Sequence, residues 1–458
     1  MEYRVESDSI GSMQVPADAY YGVQSLRAKE NFHITGQRMH PVMITCLAVI
    51  KKAAAITNAR AGKLEQWRAD AICQACSDIL HGQLHDQFIV DPVQGGAGTS
   101  ANMNANEVIA NRAIELLRGK LGDYSIIHPN DHVNMAQSTN DVFPTAGKLT
   151  VLHLLPGLIA ELRRLEEALE QKAEEFKDII KMGRTQLQDA VPIRLGSSFH
   201  AYASVIRRDI SRIRSVEQEM QVINLGGTAI GTAINASPEY LSHIAETMEQ
   251  ISGVRLVQAD DLVDATQNLD GFVTVSGVLK TCAVDLSKMA NDLRLLSSGP
   301  RTGVHEINLP ARQNGSSIMP GKVNPVIPEV VSQVAFHVIG SDHAITMAAE
   351  AGQLELNAFE PVLFFNLFQD IEMLQGAVMT FVDNCISGIT ANPERCQELL
   401  EHSVGMVTAL CPYIGYKKAA DIAKLSLKTG RKISELVAEE GLMTPEQLKT
   451  VLNPAAMA

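Results

Sequence analysis

The chain has 458 residues, of which 39 are Lys or Arg and 52 are Asp or Glu, so its formal net charge is −13. This acidic balance argues against a nucleic-acid-binding protein, which needs a surplus of cations to neutralise phosphates. With 46% hydrophobic and 20% charged residues, the composition excludes a disordered chain and predicts a globular protein of two or three domains.

Seven scattered cysteines, in a long chain whose acidic start does not resemble a signal peptide, predict reduced thiols and a cytoplasmic protein. Cys73 and Cys76 form a CxxC pair. Because no second pair or His cluster lies nearby, a buried helical pair is favoured over a zinc site. No stretch approaches the roughly 20 apolar residues of a membrane span, so no membrane contact is expected.

The first 139 residues mix helical and turn-rich segments and are predicted to form a mainly helical N-terminal domain. An Ala-rich stretch without Gly or Pro, residues 43–59, predicts a helix. Two segments rich in Gly, Asn, Asp, Ser and Thr, near residues 95–108 and 128–145, are predicted to be loops that open helices.

Long helices dominate the next region, residues 140–391. One apolar stripe steps by three or four residues from Leu158 to Ile180, and a second runs from Ile206 to Ile223. Three further helices are predicted over roughly 272–297, 328–350 and 361–388. Five long helices predict a bundle, and apolar surface that one chain leaves uncovered predicts oligomerisation.

Polar segments separate these helices at residues 181–196, 223–240 and 297–330. The last is too long and too polar for a simple connection, because loops beyond about 15 residues are usually functional or disordered. The remaining residues, 392–458, are predicted to form a small C-terminal helical domain in which Thr444 and Pro445 mark a helix start.

The strongest candidate site is the segment GSSIMPGKVNP at residues 315–325. It offers the hydroxyls of Ser316 and Ser317, the cation of Lys322 and the amide of Asn324, between glycines that let the backbone approach a ligand. Such a set suits a small anionic molecule, with ordinary turn and cap chemistry as the alternative.

Two predicted helix starts carry further hydroxyls. GGAGTS, which contains Thr99, lacks the Lys of a nucleotide-binding loop, and QSTND contains Ser138, Thr139 and Asn140. Unpaired N–H groups and a favourable dipole make a helix start suitable for a carboxylate, with plain N-capping as the alternative. Neutral donors in an acidic chain together predict a small anionic ligand.

Two other clusters leave alternatives open. Arg184 and Thr185 could pair a ligand carboxylate, or Arg184 could bind a carboxylate of the protein itself. His128 and His132 have a metal-ligand spacing, but Pro129 makes the segment a turn, so no metal site is predicted.

The segment GSSIMPGKVNP resembles the signature loop of the aspartase/fumarase superfamily, whose members eliminate an amine or water from succinyl-type substrates to give fumarate. Similar segments extend along essentially the whole chain: PADAYYGV, GGAGTSANMNANEV, HPNDHVNMAQSTNDVFPT, GRTQLQDAVP, LGGTAIGT, LRLLSSGPR, EAGQLELN and VTALCPYIGY.

Within the superfamily the chain is most similar to the aspartase branch. Class II fumarases carry a His where RTQLQDA has Gln186. In the other direction, GYKKAADIAK at residues 415–424 resembles fumarases, and Cys411 replaces an Asn common to both branches. The argininosuccinate and adenylosuccinate branches fit less well, because their signature has Gln-Lys-Lys where this chain has Gly321, Lys322 and Val323.

The resemblance implies a mainly α fold of three domains, residues 1–139, 140–391 and 392–458. It also implies that the five central helices of four chains assemble into a twenty-helix core. Active sites would then be composite, with loops from three subunits of a homotetramer. No cofactor is expected to be required, although divalent-metal activation is possible.

The implied reaction is the reversible elimination of ammonia from L-aspartate to give fumarate. Ser316 would be the base that takes the Cβ proton, with its alkoxide stabilised by loop amides and by Lys322. Glycines and prolines around Ser316 predict a mobile lid. A class II fumarase acting on malate is the alternative, and a catalytically silent structural member, such as a lens crystallin, is the third hypothesis.

The resemblance also implies the binding groups. It assigns the β-carboxylate and its enediolate to Thr99, Ser138, Thr139 and Ser317, the α-carboxylate to Lys322, Asn324 and Thr185, and the ammonium to Asn140 and Gln186. Because the nitrogen of aspartate can leave already protonated, no strong general acid is required at Gln186.

Overall fold

The N-terminal part of the chain is a hairpin followed by four helices. The computed structural model describes residues 2–453 and residue 457. Strand β1 (Tyr3–Asp8) pairs antiparallel with β2 (Gly11–Pro16). The helices that follow are α1 (Val23–Asn31), α2 (Pro41–Arg60), α3 (Gln66–Leu80) and α4 (Thr99–Leu116). The helix predicted over residues 43–59 is confirmed as α2.

The central part contains five long helices and short elements between them. In chain order they are α5 (Thr139–Glu175), β3 (Ile180–Thr185), β4 (Gln188–Arg194), α6 (Leu195–Ser215), α7 (Glu217–Met220), β5 (Val222–Ile223), α8 (Pro238–Ser252), β6 (Val257–Gln258), α9 (Leu262–Gln267), α10 (Asp270–Leu296), β7 (Ile307–Asn308), α11 (Val326–Glu350) and α12 (Glu360–Asn384). Helices α5, α6, α10, α11 and α12 confirm the five predicted long helices.

The C-terminal part is built from short helices. They are preceded by β8 (Thr390–Ala391) and comprise α13 (Pro393–His402), α14 (Cys411–Ile414), α15 (Tyr416–Thr429), α16 (Ile433–Glu439) and α17 (Pro445–Val451). The predicted start at Thr444 is confirmed, because its hydroxyl accepts from the N–H of Gln447 and the Gln447 side chain accepts from the N–H of Thr444. The two predicted domain boundaries stay predictions.

The chain divides into two compact units, each made of three segments. The first comprises Met1–Ile159, Ser211–Thr281 and His337–Met373, and the second comprises Ala160–Ile210, Cys282–Phe336 and Leu374–Ala458. In the first unit the ring of Phe364 packs on Phe143, Phe272 and Phe368. In the second, Phe199 packs between Phe176 and Tyr202. All of these side chains are buried, and Phe176, Phe199 and Phe272 are among the largest fully buried ones.

The two predicted apolar stripes are buried, but both helices end earlier than predicted. Leu158, Leu162 and Leu165 are fully buried. Helix α5 nevertheless ends at Glu175, and Ile180 begins a strand. A three-to-four-residue spacing continues by chance across the turn, so the pattern alone could not locate the helix end.

The segment 128–145 is not a loop throughout, because α5 begins at Thr139 and contains Pro144. Pro144 has no N–H, so it cannot bond the carbonyl of Asn140 one turn earlier. That carbonyl instead accepts a hydrogen bond from the Asn224 side chain at 3.0 Å. A neighbouring segment thus satisfies the acceptor that would otherwise disfavour helix at this position.

Helices α2 and α5 each contain a stretch that is long and apolar enough, by length and composition alone, to cross a membrane. In both, 72% of that stretch is buried inside the structure. Burial against other parts of the same chain is typical of the core helices of soluble proteins.

All seven cysteines are free thiols. Cys73 and Cys76 lie on α3, and burial raises the pKa of Cys73 to about 11 and that of Cys76 well above its usual value. A thiol that stays protonated is a poor nucleophile and metal ligand. The pair is helical as predicted, with Cys76 buried and Cys73 only partly buried.

Candidate active site

Thr99 is the first residue of α4, after a left-handed Gly98. A Cβ on Gly98 would lie 2.5 Å from the ring of Phe143 on α5, so glycine is needed for both its backbone angle and its contact. The close approach places the start of α4 beside the first turns of α5. The Thr99 hydroxyl donates to the carbonyl of Gly96 at 2.7 Å, and the residue is exposed.

Ser138, Thr139 and Asn140 lie together at the start of α5, and Asp141 fixes their backbone. The N–H of Ser138 donates to one oxygen of the Asp141 carboxylate at 2.9 Å. The other oxygen accepts from the N–H groups of Gly226 and Thr228 at 3.0 and 2.9 Å. Burial raises the pKa of Asp141 to about 6, although these hydrogen bonds oppose the shift.

The side chains of Asn140 and Thr139 in this turn are held in defined directions. The Asn140 amide nitrogen donates to the carbonyl of Ala229 at 2.7 Å, which leaves its oxygen as an available acceptor. The Thr139 hydroxyl accepts from the Asn102 amide nitrogen at 3.1 Å, and Asn102 in turn accepts from the buried ammonium of Lys51 at 2.7 Å. The start of α5 therefore rests on side chains from α2 and α4.

Thr185 and Gln186 occupy the tip of the hairpin formed by β3 and β4, where a plain interruption between helices was predicted. Gln186 and Leu187 connect the strands with φ angles of 53° and 62°. Two consecutive left-handed residues form the turn that suits a two-residue hairpin, but Gly or Asn is preferred there. A residue other than glycine is strained in this left-handed conformation, and such strained residues cluster at functional sites.

Arg184 is bound by the protein itself, which resolves the alternative that its sequence context left open. Its guanidinium donates to the Glu306 carboxylate at 2.9 Å, and the ammonium of Lys181 lies 3.3 Å from the other carboxylate oxygen. Glu306 is fully buried. Arg184 therefore anchors the hairpin on which Thr185 and Gln186 lie, and its charge is already paired.

The signature loop, residues 315–325, closes on itself at its neck. The N–H of Gly315 donates to the carbonyl of Lys322 at 2.8 Å, and the Asn324 amide donates to the carbonyl of Gly315 at 2.8 Å. A Cβ on Gly315 would lie 2.6 Å from the Lys322 carbonyl and 2.8 Å from the Asn324 nitrogen. Only glycine fits this neck without moving the backbone.

Inside this loop two backbone amides are directed at one side-chain oxygen. The N–H groups of Ile318 and Met319 donate to the Ser316 hydroxyl oxygen at 3.2 and 3.0 Å. Such donors stabilise negative charge on that oxygen. Ser317 and Lys322 are exposed, and Ser316 and Asn324 are partly exposed.

The structure thus gathers the predicted residues into three groups. Thr99, Ser138, Thr139 and Asn140 lie in the first unit, whereas the hairpin tip and the signature loop lie in the second. Sequence reasoning missed Lys51, Asn102 and Asp141. The available indication was the Asn-rich α4, because asparagine is unfavourable inside a helix unless its side chain has a polar partner.

The segment containing His128 and His132 folds as a single π-helical turn, Pro129–Val133. The His128 Nδ1 accepts from the N–H groups of Asn130 and Asp131, and the His132 Nδ1 accepts from the N–H of His128. Within residues 2–453 and 457, no group of three or more His, Cys, Asp or Glu side chains is arranged to hold a metal ion.

Comparison with known families matches two parts of the chain. The profile of the family described as Lyase matches residues 11–340, and that of the Fumarase C C-terminus matches residues 406–458. The chain belongs to the aspartase/fumarase superfamily. The C-terminal match agrees with the fumarase-like character of residues 415–424.

Among curated members of the superfamily, the aspartate ammonia-lyase of Bacillus subtilis (strain 168) is 54% identical over 456 residues, covering 100% of this chain and 96% of that protein. The aspartate ammonia-lyase of Escherichia coli (strain K12) is 47% identical over 453 residues, covering 98% of this chain and 95% of that protein.

Solved structures of the superfamily share the fold. A fumarate lyase:delta crystallin from Brucella melitensis, bound to cobalt, has a TM-score of 0.97 at 51% identity and covers 100% of both chains. The class II fumarase from Schistosoma mansoni has a TM-score of 0.96 at 35% identity, covering 100% of this chain and 99% of that chain. The predicted mainly α superfamily fold is therefore confirmed.

Proposed function

We propose that this protein is an aspartate ammonia-lyase that reversibly eliminates ammonia from L-aspartate to give fumarate. Two backbone amides directed at the Ser316 oxygen carry the proposal, because a serine acts as a base only where its alkoxide is stabilised. Support also comes from full-length identity of 47% and 54% to proteins named aspartate ammonia-lyase, against 35% to a class II fumarase.

In the proposed reaction the Ser316 alkoxide takes the Cβ proton, and the C–H electron pair moves into an enediolate on the β-carboxylate. The amides of Ile318 and Met319 stabilise the alkoxide before this transfer. The enediolate pair then forms the Cα–Cβ double bond as the C–N bond breaks. Ammonia leaves with the C–N pair, so that fumarate is the other product and no acid need protonate the nitrogen.

The β-carboxylate and its enediolate are assigned to the hydroxyls of Thr99, Ser138, Thr139 and Ser317. Neutral donors fixed at helix starts stabilise developing charge without the reorganisation that water would require. This assignment suits the buried Thr139, because its oxygen already accepts a hydrogen bond from the Asn102 amide. Its hydrogen can then be donated to the substrate.

The ammonium of aspartate is assigned to Asn140 and Gln186. Because the Asn140 nitrogen is used by the carbonyl of Ala229, its oxygen is the free end, and an oxygen acceptor is what an ammonium needs. Gln186 at the hairpin tip supplies a neutral amide where a basic imidazole would compete for protons. This favours an amine substrate over the malate of the alternative.

The α-carboxylate is assigned to Lys322, Asn324 and Thr185. Asn324 uses one amide hydrogen to hold the loop neck and retains a second for substrate. Lys322 is the exposed cation of the same loop. Closure of this loop over bound aspartate would bring its charge to the carboxylate, in keeping with the predicted mobile lid.

We further propose a cytoplasmic homotetramer with composite sites. Helix α11 leaves large apolar side chains exposed, with Phe336 64% and Met347 51% accessible. Apolar surface of this kind on a long helix is covered by association. Mass measurement in solution tests the tetramer.

Complementation tests whether the sites are composite. Inactive Ser316→Ala and Asn140→Ala chains, unfolded together and renatured, should regain part of the activity if the two residues of one site come from different subunits. No recovery in tetramers that contain both chains would place both residues of a site in one subunit.

The mechanism requires no cofactor, and divalent-metal activation remains the alternative prediction. Dialysis against EDTA should leave aspartate turnover in place. A loss that Mg²⁺ or Mn²⁺ restores would instead establish metal activation.

The decisive assay compares L-aspartate with L-malate under identical conditions by the ultraviolet absorbance of fumarate. Fumarate should accumulate from aspartate, whereas accumulation from malate alone would establish the fumarase alternative. Ser316→Ala should lower kcat by about 10²- to 10⁴-fold or more while leaving assembly intact. Retained turnover would remove Ser316 as the base, and no turnover of any substrate by the wild type would support the silent structural member.

A further inference from the structure

The first unit contains a lysine with no access to solvent. Lys51 lies on α2 and is 0% exposed. Its ammonium donates to three side-chain amide oxygens, those of Asn102 at 2.7 Å, Asn134 at 2.8 Å and Gln137 at 2.9 Å. These four residues form what we call the Lys51 amide cluster. All three ammonium hydrogens are used.

The ammonium determines which way each amide points. A protonated lysine has donors and no acceptor, so each amide must turn its oxygen inward and its nitrogen outward. The outward nitrogens of Gln137 and Asn134 donate to backbone carbonyls, that of Gln137 to Val133 and Met135, and that of Asn134 to Gln137. The orientation of each amide follows from the chemistry of the lysine.

The third outward nitrogen reaches the candidate active site. The Asn102 nitrogen donates to the Thr139 hydroxyl oxygen at 3.1 Å. Thr139 therefore accepts from the cluster, and its own hydrogen is left to be donated elsewhere. In the opposite orientation the Asn102 oxygen would take that hydrogen. Among the described residues, the Thr139 hydroxyl makes no other hydrogen bond.

We propose that Lys51 is a positioning residue for catalysis, which acts through Asn102 to keep the Thr139 hydroxyl a donor toward the substrate carboxylate. This inference rests on the proposed role of Thr139 in substrate binding. Under this proposal Lys51 does not contact the substrate, but it sets the direction of one hydrogen bond to the substrate.

Packing alone does not explain a lysine at this position. Burial lowers the pKa of Lys51 to about 7, and the carboxylate of Asp141 only partly opposes the shift. A buried ammonium carries a desolvation cost that an apolar side chain of similar length would avoid. The ammonium fixes which end of each of three amides points inward, and a methionine side chain could not do so.

The first test compares Lys51→Met with Lys52→Met. Lys52 is next to Lys51 on α2 and donates to Ser77 on α3, outside the cluster. We expect Lys51→Met to lower kcat/KM for L-aspartate by about 10- to 100-fold, the worth of a hydrogen bond to a charged group. Lys52→Met should stay within about twofold of the wild type. A Lys51→Met enzyme with lowered thermal stability but wild-type kinetics would overturn the proposal.

A double variant separates positioning from general damage. In Thr139→Val the hydroxyl is absent, so adding Lys51→Met should cause no further loss of kcat/KM. If the two losses multiply, Lys51 does not act through Thr139 and the proposal is wrong. The single Thr139→Val variant tests the proposed function on its own, because unchanged kcat/KM would remove Thr139 from the site whatever Lys51→Met does.

A second variant keeps the proposal testable if Lys51→Met does not fold. Asn102→Asp retains an oxygen for Lys51 but presents a second acceptor to Thr139, which reverses the direction of that hydrogen bond. We expect a folded tetramer with kcat/KM lowered by about 10-fold or more. Wild-type kcat/KM in this variant would show that the polarity of the Asn102–Thr139 bond does not matter.

Discussion

The Lys51 amide cluster and the signature loop differ in how deeply their polar groups are buried and how firmly they are held. In the cluster Lys51 and Asn102 are buried, Asn134 and Gln137 are partly buried, and the direction of each hydrogen bond to the amides follows from one cation. In the loop, Ile318 is 84% exposed and the backbone is held chiefly at its neck. Under the proposed function, the Thr139 hydroxyl is directed before the substrate binds, whereas Ser316, the proposed base, lies on a loop that can close on the substrate.

Among the variants that keep Ser316, the largest effect should follow from disrupting the neck of the loop. Gly315→Ala places a methyl group against two backbone atoms, so the neck must open and Ser316 must shift. We expect kcat to fall by about 100-fold or more, because a misplacement of about 1 Å can cost that much, with little change in thermal stability.

Gly321→Ala is the matched control for this prediction. Gly321 lies in the same loop, has a positive φ of 80°, and has open space where a Cβ would stand. Alanine at Gly321 brings the backbone strain of a positive φ, which Gly315 does not have, but it avoids the collision at the neck. Equal losses of kcat in the two variants would show that the loop backbone, and not the neck contact, sets activity.

Asp141→Asn should act on stability more than the loop variants do. The amide keeps one oxygen but replaces the second, which accepts from Gly226 and Thr228, with a donor. An unpaired buried donor typically costs about 1–3 kcal/mol, and we expect the free energy of unfolding to fall by that amount. Chemical denaturation measures it; an unchanged stability would mean that the fixed turn does not depend on this carboxylate.

The same carboxylate also predicts a pH-dependent effect on stability. Its folded pKa of about 6 lies above the usual value of 3.8, so between these values the folded protein holds a proton that the unfolded chain has released. This group therefore makes the wild type lose stability as pH rises from about 4 to about 6. Asp141→Asn should lack that decrease when unfolding is measured across this range, and an identical slope in both proteins would contradict the assignment.

The smallest effect is expected at the tip of the loop. Ile318→Ala removes an exposed apolar side chain but keeps the N–H that donates to Ser316. We expect unchanged stability and a loss of kcat/KM of only about two- to fivefold, comparable to the burial of about one methyl group on closure. A loss as large as that of Gly315→Ala would mean that the tip itself contacts substrate.

The sequence was informative where local pattern decides structure. The five long helices, the capped start at Thr444 and the helix openings at Thr99 and Thr139 follow from periodicity and capping residues. The signature loop was recognised because its residues are contiguous. What could not be predicted depends on contacts between distant segments: the carbonyl of Asn140 is satisfied by Asn224, and Arg184 is paired by Glu306.

The Lys51 amide cluster was out of reach for the same reason. Its members come from three segments, and neither a lone lysine nor scattered asparagines in an apolar helix reveal a shared hydrogen-bond direction. Only the three distances to the ammonium show it. Chemistry that depends on orientation is therefore less visible in a sequence than chemistry that depends on composition.

Because Pro144 leaves the carbonyl of Asn140 without a partner inside α5, the start of this helix depends on a contact from another segment. After Pro144 the helix continues, but the carbonyl of Asn140 acquires a partner only when Asn224 arrives from a segment 84 positions later. During synthesis on a ribosome, the turn bearing Ser138, Thr139 and Asn140 therefore remains incomplete until that later segment has emerged and docked.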